Sequence, residues 1–255
     1  MSFDISRLLD DWEYQSGQVV VRKFKGADGK EKLQLRVDLG LLQMNVEGRP
    51  DGKRPYGHPS LFDHYRIRLQ KHRAAHDGSE EGFKLTSEDC AKLQLEALQY
   101  HHRYICLLQL EDYAAVLRDA GRNLGVFEFV GRHAESEELA WSLLQFQPQL
   151  LMVLTRARAE QALQANDHAR AVTQVEEGLE RIRAFYREHL RLELLEQSGE
   201  LTSLETWVGE IRAHRPRSER EKLEQALADA VRREDYEKAA RMRDALRNLK
   251  SPEHS

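Results

Sequence analysis

From Thr86 onward the apolar residues of this chain recur at three- and four-residue intervals with scarcely a break, which is the period of a helix with one buried face. Leu93, Leu95, Leu98, Ile105 and Leu108 form the first such set, and Thr86 or Ser87 stands before them as a cap. Further helices are expected over 112–130, 136–146, 149–164 and 168–188. Pro148 opens a helix rather than breaking one, because a first-turn residue has no helical partner for its N–H to lose. A break near Ser198-Gly199, a shorter helix over 201–213 and a stop at Arg215-Pro216-Arg217 complete the series. Such helices must bury their faces against one another, so the pattern predicts a helical bundle over most of the chain.

The first 60 residues differ, because strand-like alternation, glycines and prolines concentrate there. Residues 18–24 are rich in valine, residues 32–38 alternate with Leu33, Leu35 and Val37 on one face, and Gly26-Ala27-Asp28-Gly29-Lys30 lies between as a hairpin turn. Leu42, Met44 and Val46 alternate in a third run, which predicts a three-stranded meander. A sheet so small needs a helix to pack on, and 60–72 is the nearest. Between sheet and helix, residues 47–59 hold three glycines and three prolines and read as a loop. Its Arg49, Lys53, Arg54, Tyr56 and His58 offer cationic and aromatic contacts, so the loop is a candidate binding element as well as a plain connection. A linker is expected at 74–82. The fold class is therefore α+β and mostly α, with a β-containing module over 1–75, a helical bundle over 83–214 and a terminal hairpin over 218–250.

A chain of 255 residues suits two domains. Its longest apolar runs, such as Leu150 to Leu154, are far too short to cross a bilayer, so no membrane association is expected. The start, Met1-Ser2-Phe3-Asp4, lacks the basic flank and apolar stretch of a secretory signal, which predicts a cytoplasmic location. Cys90 and Cys106 both fall in helical patterns, where thiols behave as small hydrophobes, so neither a disulfide framework nor a zinc ribbon is expected. The net charge of −4 would weakly repel a phosphate backbone.

Three places repeat one local pattern: Asp112-Tyr113 with Val116, Asp167-His168 with Ala171, and Asp235-Tyr236 with Ala239. In each, Asp can cap a helix, the ring can pack over the preceding helix, and the small residue allows close approach, so each predicts a helical hairpin. Around the second, Ala159, Ala162, Ala171, Val175 and Gly178 have a spacing that resembles a tetratricopeptide repeat.

The third hairpin carries more. Leu223-Glu224-Gln225-Ala226-Leu227 leads through Ala230 and Val231 to Asp235-Tyr236-Glu237-Lys238-Ala239-Ala240, then Arg241-Met242-Arg243-Asp244-Ala245-Leu246 and Leu249. This run resembles the UVR motif, the helical hairpin of the excinuclease subunits UvrB and UvrC and of several partners of Clp-type chaperone ATPases. Leu223 and Leu227 match its first apolar sites, Ala230 and Val231 its closing sites, and Tyr236 stands where the family usually has phenylalanine. Glu237, Ala239, Ala240, Arg243 and Asp244 match directly. Glu234 departs from the apolar residue many members carry. The resemblance implies a docking element that performs no chemistry and binds a protein partner, such as a UVR-bearing protein or a Clp-type ATPase. Leu223, Leu227, Tyr236, Glu237, Ala240, Arg243 and Asp244 are the implied contact residues.

Other chemistry has little support. His72 and His76 are spaced i, i+4, and with His58, Asp63 and His64 they could supply metal ligands, but no glutamate stands between them as metalloproteases require. His101 and His102 point about 100° apart on a helix and cannot chelate together. Gly121-Arg122-Asn123-Leu124-Gly125 lacks the preceding strand of a nucleotide-binding fingerprint. No cofactor, resident metal or catalytic residue is expected. The chain reads as a non-enzymatic adaptor in excision repair or Clp-dependent protein quality control. The alternatives are a nucleic-acid-binding repair accessory using the basic loop 49–54, and a metalloenzyme built on the N-terminal histidines.

Overall fold

The computed structural model describes residues 4–214 and 219–249, with the side chains of 219, 221, 248 and 249 excepted. The break expected at Arg215-Pro216-Arg217 and the side chain of Leu249 lie outside the described residues.

The meander forms as the alternation predicts. Strands β1 (Val20–Lys25), β2 (Glu31–Val37) and β3 (Gly40–Asn45) pair antiparallel in the order β1-β2-β3. Lys23 lies opposite Leu33 and Leu33 opposite Met44, and both Leu33 and Met44 are buried on the face that meets the helices. The other face carries a polar ladder. Arg22, Gln34 and Gln43 stand in register, with Arg22 Nε donating to Gln34 Oε1 at 2.8 Å and Gln34 Nε2 to Gln43 Oε1 at 2.8 Å. A short helix α1 (Ser6–Asp10), which no periodicity announced, precedes β1, and the residues that follow it reach this face. Trp12 lies 4.2 Å from the Arg22 guanidinium, and Arg36 donates to the Trp12 carbonyl at 2.8 Å.

Helix α2 (Leu61–Ala75) starts at Ser60, whose hydroxyl accepts from the Asp63 N–H. The bundle follows as α3 (Ser87–Gln109), α4 (Tyr113–His133), α5 (Glu137–Leu144), α6 (Gln147–Gln164) and α7 (His168–Glu188), with α3 packed on α4, α4 on α5 and α6, and α6 on α7. Thr86 and Asp89 form a reciprocal capping box at the start of α3. Pro148 occupies the first turn of α6. A five-residue helix α8 (Leu192–Glu196) precedes α9 (Gly199–His214), and the terminal hairpin is α10 (Glu219–Arg232) with α11 (Tyr236–Leu249).

Sheet, α2 and bundle form one compact unit up to Val208, and a second unit begins at Gly209, within α9. Directly after the expected linker 74–82, Phe83 and Leu85 are buried, and Leu85 bridges to the end of α4 through Leu85 N to His133 O at 2.7 Å and Glu135 N to Leu85 O at 3.1 Å. Buried charges on α3 and α4 also reach across to the sheet, as described below.

The three repeated turns share one construction. Glu111, Asn166 and Glu234 all adopt left-handed backbone, with φ of 57°, 57° and 58°. The Asp that follows donates its N–H five residues back, to Leu107 O at 3.0 Å, Ala162 O at 2.8 Å and Ala230 O at 2.9 Å respectively. This is the Schellman closure of a helix. The same Asp then caps the next helix, accepting from Ala115, Arg170 and Lys238 N–H groups. One residue pair thus satisfies the end of one helix and the start of the next, which makes each turn short and sharp. The rings do not behave alike. Tyr113 is 8% exposed, inside a bundle where α4 meets three other helices, whereas Tyr236 is 71% exposed. The expectation that every ring packs over the preceding helix fails at Tyr236, because a two-helix hairpin has no further layer to cover its tip.

Candidate functional site

The terminal hairpin is short of core. Among its described side chains only Ala230 and Ala239 are buried, at 2% and 8% exposure, one on each helix. These are the small residues at the close approach of α10 and α11. Leu223, Ala226, Leu227, Ala240, Met242, Ala245 and Leu246 are half-buried, while Val231 and Tyr236 are exposed. Glu224, Leu227, Ala228, Val231 and Arg232 line a shallow depression on α10 with an apolar floor. Helices of 14 residues are marginal alone, and exposed pairs such as Arg220–Glu224 and Arg232–Asp229 add only about 0.3–0.5 kcal/mol each. Glu237, Arg243 and Asp244 are exposed, and Arg243 Nε reaches Asp244 Oδ1 at 3.3 Å. The arrangement presents Leu227, Val231 and Tyr236 as apolar surface flanked by charges of both signs.

Glu234, the departure from the motif, occupies the left-handed position of the turn, where an L side chain costs about 1–2 kcal/mol. Glu234→Gly removes that cost but adds unfolded-state entropy, leaving a gain of about 0.5–1 kcal/mol. Hydrogen exchange at the Lys238 and Ala239 amides should slow by roughly two- to fivefold, and Glu234→Val should accelerate it.

The basic loop is held from below by buried charges. Arg103, 1% exposed, makes a two-point pair with Asp119 through Nε at 2.6 Å and Nη2 at 2.8 Å, and its Nη1 donates to Asn45 O at 2.9 Å and Gly48 O at 2.7 Å. Arg118 donates to Val46 O at 2.9 Å. Glu96, 1% exposed, accepts from Leu61 N at 2.8 Å, Phe62 N at 3.2 Å and Arg49 Nε at 2.9 Å, and pairs with Arg122. One carboxylate therefore caps α2 and anchors the loop. Arg49 is turned inward between Glu96 and Asp51, so this candidate contact residue holds the loop in place. Lys53, Arg54 and Tyr56 are exposed and His58 is half-exposed. Nothing in the sequence marked Glu96, Arg103 or Asp119, since charges within a helical period normally face water.

The N-terminal histidines are not gathered into a ligand set. His58 and His64 rings lie 5.3 Å apart, Asp63 is bonded to Ser60, and His72 stacks on His76 at 4.0 Å. His72 Nε2 lies 2.8 Å from the Glu81 carbonyl and His76 Nδ1 2.8 Å from the His72 carbonyl. Among the described residues no group of three or more His, Cys, Asp or Glu side chains is placed to hold a metal ion. Burial pushes the Cys90 thiol up to about 11 and the Cys106 thiol up to about 12, which keeps both protonated and unreactive at neutral pH. Among the described residues no helix is long and apolar enough to cross a membrane.

No curated protein and no solved structure matches this chain. Residues 217–251 match the UVR family, described as the UvrB/uvrC motif. The chain therefore carries a UVR motif near its C-terminus, in the α10–α11 hairpin, and that motif is a protein-interaction module.

Proposed function

We propose that this protein is a non-enzymatic adaptor that docks a partner protein through the α10–α11 hairpin. The observation that carries this reading is the mismatch between what the hairpin buries, Ala230 and Ala239, and what it exposes, Val231 and Tyr236 beside half-buried Leu227. A second hairpin, or a helical surface of a partner, would cover those side chains and supply the stability the element lacks. The motif points to a UVR-bearing protein or a Clp-type ATPase as partner, and so to excision repair or Clp-dependent protein quality control.

Cross-linked pull-downs with the full chain, with a chain ending at 214, and with Leu227→Asp test the proposal. A charge at the centre of the apolar surface should cost at least about 2 kcal/mol, roughly thirtyfold in affinity. Partners recovered by the full chain should be missing from both altered proteins. An unchanged partner set would refute docking by the hairpin.

A further inference from the structure

The first apolar set of α3 is only partly used by the core. Leu93 is buried, but Leu95 is 65% exposed and Leu98 47% exposed. Both line one cleft with Phe146, the 46%-exposed residue before α6. Three large apolar side chains that the fold leaves in water thus converge on a single cavity of about 470 Å³. That volume lies within the range of about 300–1,000 Å³ typical of small-molecule sites.

The cleft has depth as well as an apolar border. Ala97 and Tyr104 of α3, Asn123 of α4, Leu143 of α5 and Leu150 of α6 also line it, and all five are buried. Four helices therefore wall it, all within the N-terminal unit. None of its lining residues is Asp, Glu, Lys or Arg, although these make up 32% of the chain. The deepest polar groups are satisfied internally: Asn123 Nδ2 donates to Ala97 O at 2.8 Å, and its Oδ1 accepts from Arg122 at 3.0 Å. His101 Nδ1 lies 2.7 Å from the Tyr104 hydroxyl. Burial, together with the adjacent His102, holds the His101 imidazole below its usual range, so the ring is neutral. Among the described residues, His101 Nε2 and the amides of exposed Gln94 and Gln149 make no hydrogen bond, so the lining keeps a little neutral polar capacity.

We infer that this cleft binds a small uncharged ligand, mainly apolar and carrying one hydrogen-bonding group. A deep, uncharged, apolar cavity with a few neutral polar groups matches such a molecule in size and polarity, and it offers an ionised group no counter-charge. A protein interface is built differently, with a polar rim around its apolar centre. The terminal hairpin has such flanking charges, whereas even the exposed lining residues of this cleft are uncharged. The inference is independent of hairpin docking.

The test uses the full chain with N-phenyl-1-naphthylamine, an uncharged apolar fluorophore carrying one N–H. Its emission should rise and shift to shorter wavelength as it saturates the protein. Decan-1-ol should displace it at least about tenfold better than decanoate at pH 8, because a carboxylate would enter the cleft without a counter-ion. Leu98→Glu and Phe146→Gln alter exposed side chains, so both proteins should melt close to the unaltered chain and bind the probe about tenfold more weakly. Leu190→Glu, at an 82%-exposed leucine outside the cleft, should leave probe binding unchanged. The inference is overturned if the probe does not bind, if decanoate competes as well as decan-1-ol, if neither cleft substitution weakens binding, or if Leu190→Glu weakens it as much as they do. A dimer that Leu98→Glu splits, or a protein partner that only the Leu98→Glu chain fails to recover, with no probe bound, would assign the cleft to a protein surface and overturn the inference as well.

Discussion

Asp119→Ala is expected to lower the stability of the N-terminal unit by about 3–5 kcal/mol, because it leaves the Arg103 guanidinium buried with only carbonyl partners. In a unit of this size that corresponds to a fall in melting midpoint of about 6–20 °C. Removing both charges is a different experiment. Arg103→Met with Asp119→Leu keeps the volume apolar and strands no ion, so the double variant should be more stable than Asp119→Ala alone. The double variant also releases the Asn45 and Gly48 carbonyls, so amide exchange across the loop should quicken even where the midpoint recovers. Calorimetry on the single and double variants decides the matter. A double variant as unstable as the single one would show that the pair contributes more than compensation for its own burial.

The second large effect is expected where two helices approach most closely. A Cβ added at Gly178 of α7 would overlap the Thr155 side chain of α6, coming within 2.7 Å of its Cβ. Thr155 is 2% exposed and its hydroxyl is bonded to Leu151 O at 2.8 Å, so it cannot swing aside. Gly178→Ala should therefore destabilise by about 1–3 kcal/mol despite alanine's better helix propensity. At Gly121 of α4 an added Cβ meets nothing, and the same substitution should stabilise by up to about 1 kcal/mol. Thr155→Ala removes the atoms that obstruct, so Gly178→Ala with Thr155→Ala should recover most of the loss. Thermal unfolding of the four proteins gives the answer, and a stabilising Gly178→Ala would mean that the helices separate at no cost.

Small residues around Gly178 were recognisable from spacing, because close packing of antiparallel helices demands them at any such crossing. Caps were equally legible: Thr86, Asp112, Asp167 and Asp235 all act as the local patterns predict. Those interactions close within a few residues of chain. The meander belongs to the same class, since a five-residue turn and a strict alternation leave few registers to choose from.

The candidate sites divide along the same line. The hairpin from Leu223 to Asp244 was readable because its whole structure is local, and the surface it offers is the side of each helix its partner helix leaves uncovered. The loop was readable as a loop, but the division of labour within it was not. Arg49 resembles Lys53 and Arg54 in sequence, and only the position of Glu96, 47 residues later, separates an anchor from an available cation.

Periodicity, capping and turn chemistry by themselves therefore determined the helices, the sheet and the docking hairpin, because each arises from contacts between residues a few positions apart. Tertiary structure alone decided that sheet and bundle share one core, that Glu96, Arg103 and Asp119 lie inside it, and which cations of the loop remain unpaired. A charge is recognised as buried only when its distant partner is in place, since desolvation is tolerable only for ions that find compensation on another element.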